Sequence, residues 1–261
     1  MAETMKTFQI QEINEYTETL KSFLLPKAFD VSPGQFVTLW IPGIDEKPFA
    51  ISETTSSNFE ITIRAVGTFT KRMMEMKKGD WIGIRGPFGN GFQLMGNTIL
   101  VGGGCGNAPL KYLAQKLDEV KYDFTWIAGA KTSLELPFKD TLIANKYWIP
   151  MTDDGTYGQK GFSTDPLEPL IIERSPSVIY GSGPEPMLLE IRKLAAKYQV
   201  PVQLSFERYM KCGIGICGQC CLDGSGLRLC VEGPVLDEKA MAAVTEWELP
   251  HRSASGKRNR R

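Results

Sequence analysis

Histidine is almost missing from this sequence: among 261 residues there is one, His251. Imidazole is the commonest general base and a frequent zinc ligand. His251 stands in a polar stretch near the end with no visible partner and reads as a surface residue. So little acid–base equipment argues against a hydrolase and suits chemistry carried by bound cofactors. Long apolar runs are missing as well, and none approaches a membrane span. The opening residues are polar and lack the charged-then-apolar layout of a secretory signal, and the cysteine usage fits a reducing cytoplasm. Net charge is absent, with 30 Lys and Arg against 30 Asp and Glu, which argues against a general nucleic-acid binder. The one charge run, residues 257–261, reads as the end of a disordered basic tail over 246–261.

Against these absences stands a concentration. Five of the six cysteines fall between Glu207 and Pro234. Four of them, Cys212, Cys217, Cys220 and Cys230, are spaced Cys-x4-Cys-x2-Cys-x9-Cys. A 2Fe-2S cluster needs four thiolates around two irons, and the plant-type spacing supplies three from one loop and a fourth from further along. Gly213, Gly215 and Gly218 clear side chains from that loop, so that backbone N–H groups can approach the sulfurs. Zinc is the competing ligand, but its usual signature is a pair of Cys-x2-Cys knuckles, and only one such pair is present. Disulfides would require an oxidising compartment. Cys221 could stand in for Cys220, but only Cys220 gives the two-residue spacing.

Upstream, hydrophobic content of 42% and the length support two moderate domains and an appendage. Residues 1–96 read as short strands between turns: Phe36 to Ile41 after Pro33-Gly34, then Phe59, Ile61, Ile63 and Ala65 alternating with polar residues. This is the pattern of an antiparallel barrel or sandwich. Two spots in it look chemical. Lys47, Pro48, Phe49 and Ala50 put a cation, a stiff turn and an aromatic together, as a flavin nucleotide needs. Gly67, Thr68 and Thr70 form a glycine-hydroxyl turn able to receive a phosphate. Core packing and an ordinary turn are the bland alternatives.

From residue 97 to 200 the pattern becomes strand, glycine loop, helix. Thr98 to Val101 leads into Gly102, Gly103, Gly104, Cys105 and Gly106, and Leu110, Leu113, Ala114 and Leu117 follow at helical spacing. Such a loop faces free N–H groups and a helix dipole toward an anion. The Gly-x-Gly-x-x-Gly fingerprint fails, because Asn107 occupies its last position. Cys105 reads as a small filler. A second strand ends at Gly181, Ser182, Gly183 and Pro184 before another helix. Alternating strands and helices imply a parallel sheet with a dinucleotide across both loops. Lys131 and Thr132 fall near the expected ribose, leaving NAD and NADP both open.

Taken in order, Lys-Pro-Phe-Ala, Gly-Thr-Phe-Thr, Gly-Pro-Phe-Gly, Gly-Gly-Gly-Cys-Gly-Asn-Ala-Pro-Leu, Tyr-Gly-Ser-Gly-Pro and the cysteine loop resemble the ferredoxin–NADP reductase superfamily over nearly the whole chain. The cysteine segment resembles one branch, the electron-transfer subunits of NAD-linked dihydroorotate dehydrogenases. Related subunits of hydrogenases, sulfide dehydrogenases and bifurcating transhydrogenases share much of the pattern. The resemblance implies an N-terminal antiparallel Greek-key β-barrel binding FAD, a parallel-sheet α/β domain binding NAD, and a small 2Fe-2S appendage over 201–245. It implies FAD contacts at Lys47, Pro48, Phe49, Ala50, Thr62, Ile63, Arg64, Gly67, Thr68 and Thr70. It also implies an FMN-containing dihydroorotate dehydrogenase catalytic subunit as partner, in a heterotetramer of two plus two. All redox chemistry would sit on cofactors, with no catalytic side chain in this chain. Lys47 stands where the family usually has arginine, keeping the charge without the bidentate fork, and Ala50 stands where it usually has a hydroxyl. A zinc-stabilised interaction module is the remote alternative.

Overall fold

The structure, a computed structural model, describes residues 4–139, 147–222 and 224–244. His251 and the basic run at 257–261 lie outside the described residues. Eight strands make the first half: β1 (Lys6–Gln9), β2 (Glu12–Thr17), β3 (Leu20–Pro26), β4 (Phe36–Ile41), β5 (Asp45–Ala50), β6 (Glu53–Thr54), β7 (Asn58–Arg64) and β8 (Trp81–Phe88). They pair antiparallel in two four-stranded sheets, ordered β1-β8-β4-β5 and β2-β3-β7-β6.

The alternation along β7 explains how this half faces the rest. Phe59, Ile61 and Ile63 enter a core shared with Val37, Leu39, Ile82 and Ile84, each burial worth roughly 1.5–3 kcal/mol. Because successive strand residues point to opposite faces, Glu60, Thr62 and Arg64 turn outward toward the second half. Helix α1 (Thr68–Glu75) closes the barrel by burying Phe69 and Met73.

The second half is one seven-stranded sheet. Its strands are β9 (Thr98–Gly103), β10 (Phe124–Ala130), β11 (Trp148–Thr152), β12 (Gln159–Lys160), β13 (Val178–Ser182), β14 (Val202–Ser205) and β15 (Val235–Asp237). The order is β12-β11-β10-β9-β13-β14-β15, parallel throughout except for β15. Helix α2 (Asn107–Glu119) covers one face, with Leu110, Leu113 and Leu117 against Trp126 and Tyr180. Helices α3 (Leu167–Arg174) and α4 (Glu185–Lys197) cover the other, with Ile171, Leu188 and Ile191 against Val101, Ile127 and Ile179. The order reverses at β9, whose neighbours are β10 and β13, and the carboxyl ends at such a switch point form a ligand crevice.

The sheet extends past residue 200. Val202–Ser205 is its sixth strand, and Val235–Asp237 pairs antiparallel with it. The cysteine segment is therefore an excursion between two neighbouring strands, anchored at both ends, with α5 (Glu238–Met241) following. Three residues are too few to show a strand period, which is why Val235–Asp237 left no trace in the sequence pattern. Cys220, Leu222, Leu229 and Cys230 join a core that also holds Ile179, Leu204, Phe36 and Phe88. The appendage thus has no separate core; it is packed onto both halves.

Candidate functional site

A cleft of about 960 Å³ opens between the two halves, at the upper end of ordinary small-molecule sites. From the barrel, Pro48, Phe49 and Ala50 of β5 and Thr62, Ile63 and Arg64 of β7 line it, with Thr70 of α1. From the sheet come Gly103, Gly104, Ser182, Gly183 and Pro184. A smaller hollow of about 340 Å³ adjoins it, shares Pro48, Phe49 and Thr70, and adds Lys47, Gly67 and Thr68.

That smaller hollow has the chemistry of an anion site. The Thr70 hydroxyl accepts from the N–H groups of Val66 and Gly67 at 2.8 and 2.9 Å. This turns the chain sharply into α1, whose first-turn N–H groups have no intrahelical partner. Lys47 Nζ stands nearby, paired with Asp45 at 2.6 Å and bonded to Tyr209 Oη at 3.2 Å. Burial opposes its charge, but Asp45 and Tyr209 hold the Lys47 pKa above its ordinary value. Phe49 stacks on Phe69 with centroids 5.8 Å apart, giving the hollow a flat apolar floor.

On the sheet side the two glycine loops touch. Ser182 pairs with Gly102 across β13 and β9, and a Cβ on Gly106 would overlap the Ser182 carbonyl oxygen. Gly102 and Gly181 are crowded in the same way, by Asn107 and by Leu204 with Ile191. These three glycines do not line the cleft; they let its wall close up. Asn107, which breaks the dinucleotide fingerprint, is fully buried. Its amide donates to the carbonyls of Gly104 and Gly129 at 3.0 and 3.1 Å and accepts from Trp126 Nε1 at 3.2 Å. It pins the loop to β10, a role that a glycine could not fill.

Beside Arg64, which the resemblance implied, charged residues that the sequence analysis did not name as site residues also face the cleft. Arg64 Nη1 pairs with Glu135 at 2.6 Å. Glu207 is accessible, yet it stands inside the cleft, where surrounding protein raises its carboxyl pKa above the usual range in spite of Arg64. Cys105 is accessible too, and the protein surrounding the cleft likewise pushes its thiol up, with Arg64 pulling the other way. Glu185 and Arg208, paired at 2.6 Å, complete the wall near Pro184. Their one signal in sequence was position, directly after strands β13 and β14.

The four cysteines fall into two pairs. Side-chain hydrogen bonds join Cys212 to Cys217 and Cys220 to Cys230. The N–H of Gly215 donates to Cys230 Sγ at 3.2 Å, and that of Cys230 to Cys220 Sγ at 3.4 Å. Burial works against ionising Cys212, but the N–H groups of Cys217, Ile214 and Ile216 bring its pKa down to about 6. Burial and the neighbouring Cys220 push Cys230 the other way. Gly213 and Gly215 make the loop possible, with φ of 74° and 78°, a region costly to other residues. Among the described residues, no three His, Cys, Asp or Glu groups converge on a single metal ion. Two sulfur pairs are what two irons require. Cys221 makes an isolated bridge with Arg228.

A family model described as the iron-sulfur cluster binding domain of dihydroorotate dehydrogenase B matches residues 207–241. A Methanocaldococcus jannaschii protein named as a probable dihydroorotate dehydrogenase B (NAD(+)), electron transfer subunit, is 43% identical over 251 residues, covering 96% of each chain. The chain belongs to that family. A Methanothermobacter thermautotrophicus member of the same name is 42% identical, over 97% of this chain and 96% of its own. Among solved structures, an NADH-dependent reduced ferredoxin-NADP oxidoreductase, described for flavin-based electron bifurcation, aligns with a TM-score of 0.80. Its identity is 27%, over 92% of this chain and 94% of that one. For an electron transfer subunit of this family, the cleft and the cysteine pairs are the two features to connect. Met210 and Pro234, which bracket the cysteines, both line the cleft. No helix among the described residues is long and apolar enough to cross a membrane.

Proposed function

We propose that this chain passes electrons from a dihydroorotate-oxidising partner to NAD+, as the electron transfer half of a two-protein enzyme. The observation that carries the reading is the shared wall. Met210 and Pro234 belong to the cleft, and Cys220 and Cys230 lie in one core with the cleft residue Phe36. Electron tunnelling falls steeply with distance, so a redox cleft and a cluster loop gain from a common wall. The names of the relatives, an electron transfer subunit linked to NAD+, agree with it.

FAD supplies the conversion that neither other group can make, between single electrons and a hydride. Lys47 and the first turn of α1 at Thr68 would hold its diphosphate, with Gly67 and Thr70 shaping that turn. Pro48, Phe49, Ala50, Thr62, Ile63 and Arg64 would pack its ring. Gly103, Gly104, Ser182, Gly183 and Pro184 would receive the nicotinamide nucleotide, while Gly102, Gly106 and Gly181 keep the loops close. Cys212, Cys217, Cys220 and Cys230 would hold the irons. The barrel, 1–96, is then the flavin domain. The sheet from 97 onward is the nucleotide domain, and the segment within 201–245 carries the cluster. No side chain here acts on orotate. That chemistry belongs to the partner, an FMN-containing catalytic subunit, in a cytoplasmic assembly of two plus two.

The test is a Cys217→Ser variant reconstituted with the catalytic subunit. Dihydroorotate-dependent reduction of NAD+ is expected to collapse while NADH-to-dye activity persists. Loss of both activities in a folded, flavin-loaded variant would refute the relay order. Co-purification with a hydrogenase or sulfide dehydrogenase subunit, and not with an FMN protein, would move the same relay to another enzyme.

A further inference from the structure

The outward face of β7 carries a hydrogen-bonded chain that leads out of the cleft. Thr62 lines the cleft. Its Oγ1 donates to Ser52 Oγ at 2.9 Å. Ser52, fully buried, donates to Glu60 Oε1 at 3.0 Å and leans on the Glu60 carbonyl at 3.1 Å. Lys111 Nζ, from α2, meets Glu60 Oε1 at 2.7 Å and Glu53 Oε2 at 2.6 Å. The Lys111 and Glu60 side chains are 5% and 10% exposed, whereas Glu53 is 38% exposed. Polar atoms therefore run unbroken from the cleft to solvent.

A purely structural brace between α2 and the barrel would not need the inner end of this chain. Lys111 between two carboxylates ties α2 to β6 and β7, and Gln115 adds bonds to Thr54 at 2.8 and 3.2 Å. That brace is complete at Glu60. Beyond it the hydroxyls of Ser52 and Thr62, the latter also sharing a 2.7 Å bond with Ser22 of β3, extend the network inward to a wall where Ala50, also lining the cleft, brings no side-chain donor.

Resting on the function proposed above, the chemistry supplies a need for such a path. A carrier that takes electrons singly and gives up a hydride must gain two electrons and one solvent proton, then release both electrons with that proton as the hydride. In the opposite direction it must shed one proton as the electrons leave for the iron–sulfur centre. We propose that Thr62, Ser52 and Glu60 are the proton relay of this site, with Lys111 and Glu53 as its outlet. For release, Thr62 Oγ1 takes the proton as its own passes to Ser52, and the Ser52 proton passes to the Glu60 carboxylate. Lys111 gives one proton to Glu53 and is refilled from Glu60, and Glu53 yields to water. The hydroxyls are bonded in this outward sense, and rotating both of them reverses the path.

The test uses the flavin-loaded chain and a Ser52→Ala variant, since Ser52 does not line the cleft. NADH reduces flavin by hydride without a solvent proton, so absorbance bleaching in stopped flow stays near the parental rate. Proton release on anaerobic reoxidation by ferricyanide, which takes two electrons one at a time and no proton, is read with a pH-indicator dye and slows by about a hundredfold, the lower end of what positioned acid–base groups contribute. Its solvent isotope effect rises, and Ser52→Thr restores the parental values. Should Ser52→Ala not fold, Glu60→Gln reads the same step, because the amide cannot accept the proton. Parental dye kinetics in these variants overturn the relay, as does equal slowing of both steps. Loss of the dye signal in Glu207→Gln alone overturns it too, by placing the exit across the cleft. A chain that purifies without flavin overturns the functional reading itself.

Discussion

Arg208 Nη2 donates to Glu185 Oε1 at 2.6 Å, and the two side chains are only 11% and 4% exposed. Glu185 opens α4, directly after the glycine loop of β13, and Arg208 lies four residues before Cys212. One buried ion pair thus bolts the nucleotide loop to the root of the cysteine segment. Removing one partner from such a pair strands a charge, at about 3–5 kcal/mol, whereas replacing both costs much less. Arg208→Leu is expected to lower the denaturant midpoint sharply, and Arg208→Leu with Glu185→Leu to recover most of it. Equal midpoints for the single and double variants would show that the two residues act separately.

Gly106 offers a sharper steric test. A Cβ there would overlap the Ser182 carbonyl oxygen, and that atom is backbone, unable to swing aside. Gly106→Ala must part the two glycine loops, at about 1–3 kcal/mol as for other overpacked sites. Weaker binding of NADH should accompany a lower Tm. Gly104→Ala is the control for space alone: nothing lies within 4 Å of its Cβ, though its φ of 55° adds local strain. Because Gly104 itself lines the cleft, the comparison is read in Tm: thermal unfolding that ranks Gly104→Ala below Gly106→Ala would count against the touching loops as the sensitive feature.

The cysteines separate ligation from packing. Cys217 is exposed, while Cys220 is 2% exposed within the core that also holds Leu222 and Leu229. Serine at either position should abolish the iron–sulfur absorption. Only Cys220→Ser also buries a hydroxyl among apolar neighbours, at about 1–3 kcal/mol. Metal analysis with thermal unfolding of both variants checks this. Equal Tm losses would mean that the metal accounts for all of the stability.

Much of this was legible from residue spacing because it depends on local backbone needs. Four cysteines at plant-type spacing, the Phe59-Ile61-Ile63 alternation and the strand–glycine–helix units each carry their geometry within a few residues. What stayed hidden depends on partners distant in sequence. Lys111 carried no signal in the sequence pattern, because its partners Glu53 and Glu60 come from the other half of the chain. Asn107 looked like a broken fingerprint, and its purpose appears only once Trp126 and the Gly129 carbonyl stand beside it. Glu207 and Arg208 looked like the start of the cysteine stretch and proved to be cleft wall. Val235–Asp237 needed Val202–Ser205 as a neighbour before it could be a strand.

Glu207 gives a pH dependence with a definite sign. Protein packed around the cleft raises its carboxyl pKa in the folded state, so the folded chain binds that proton more tightly than the unfolded one. Its contribution is fully present below the ordinary glutamate pKa, near 4.3. It is lost as pH rises through the raised folded value, because ionised Glu207 is less well solvated in the cleft than in the unfolded chain. Glu207→Gln removes this one titration and leaves a neutral side chain of the same shape. Thermal unfolding of the two proteins should therefore coincide near pH 4, with the glutamine variant gaining Tm over the parent as pH is raised to 7. A constant Tm difference across that range would show that Glu207 titrates normally, with its accessibility outweighing the surrounding protein.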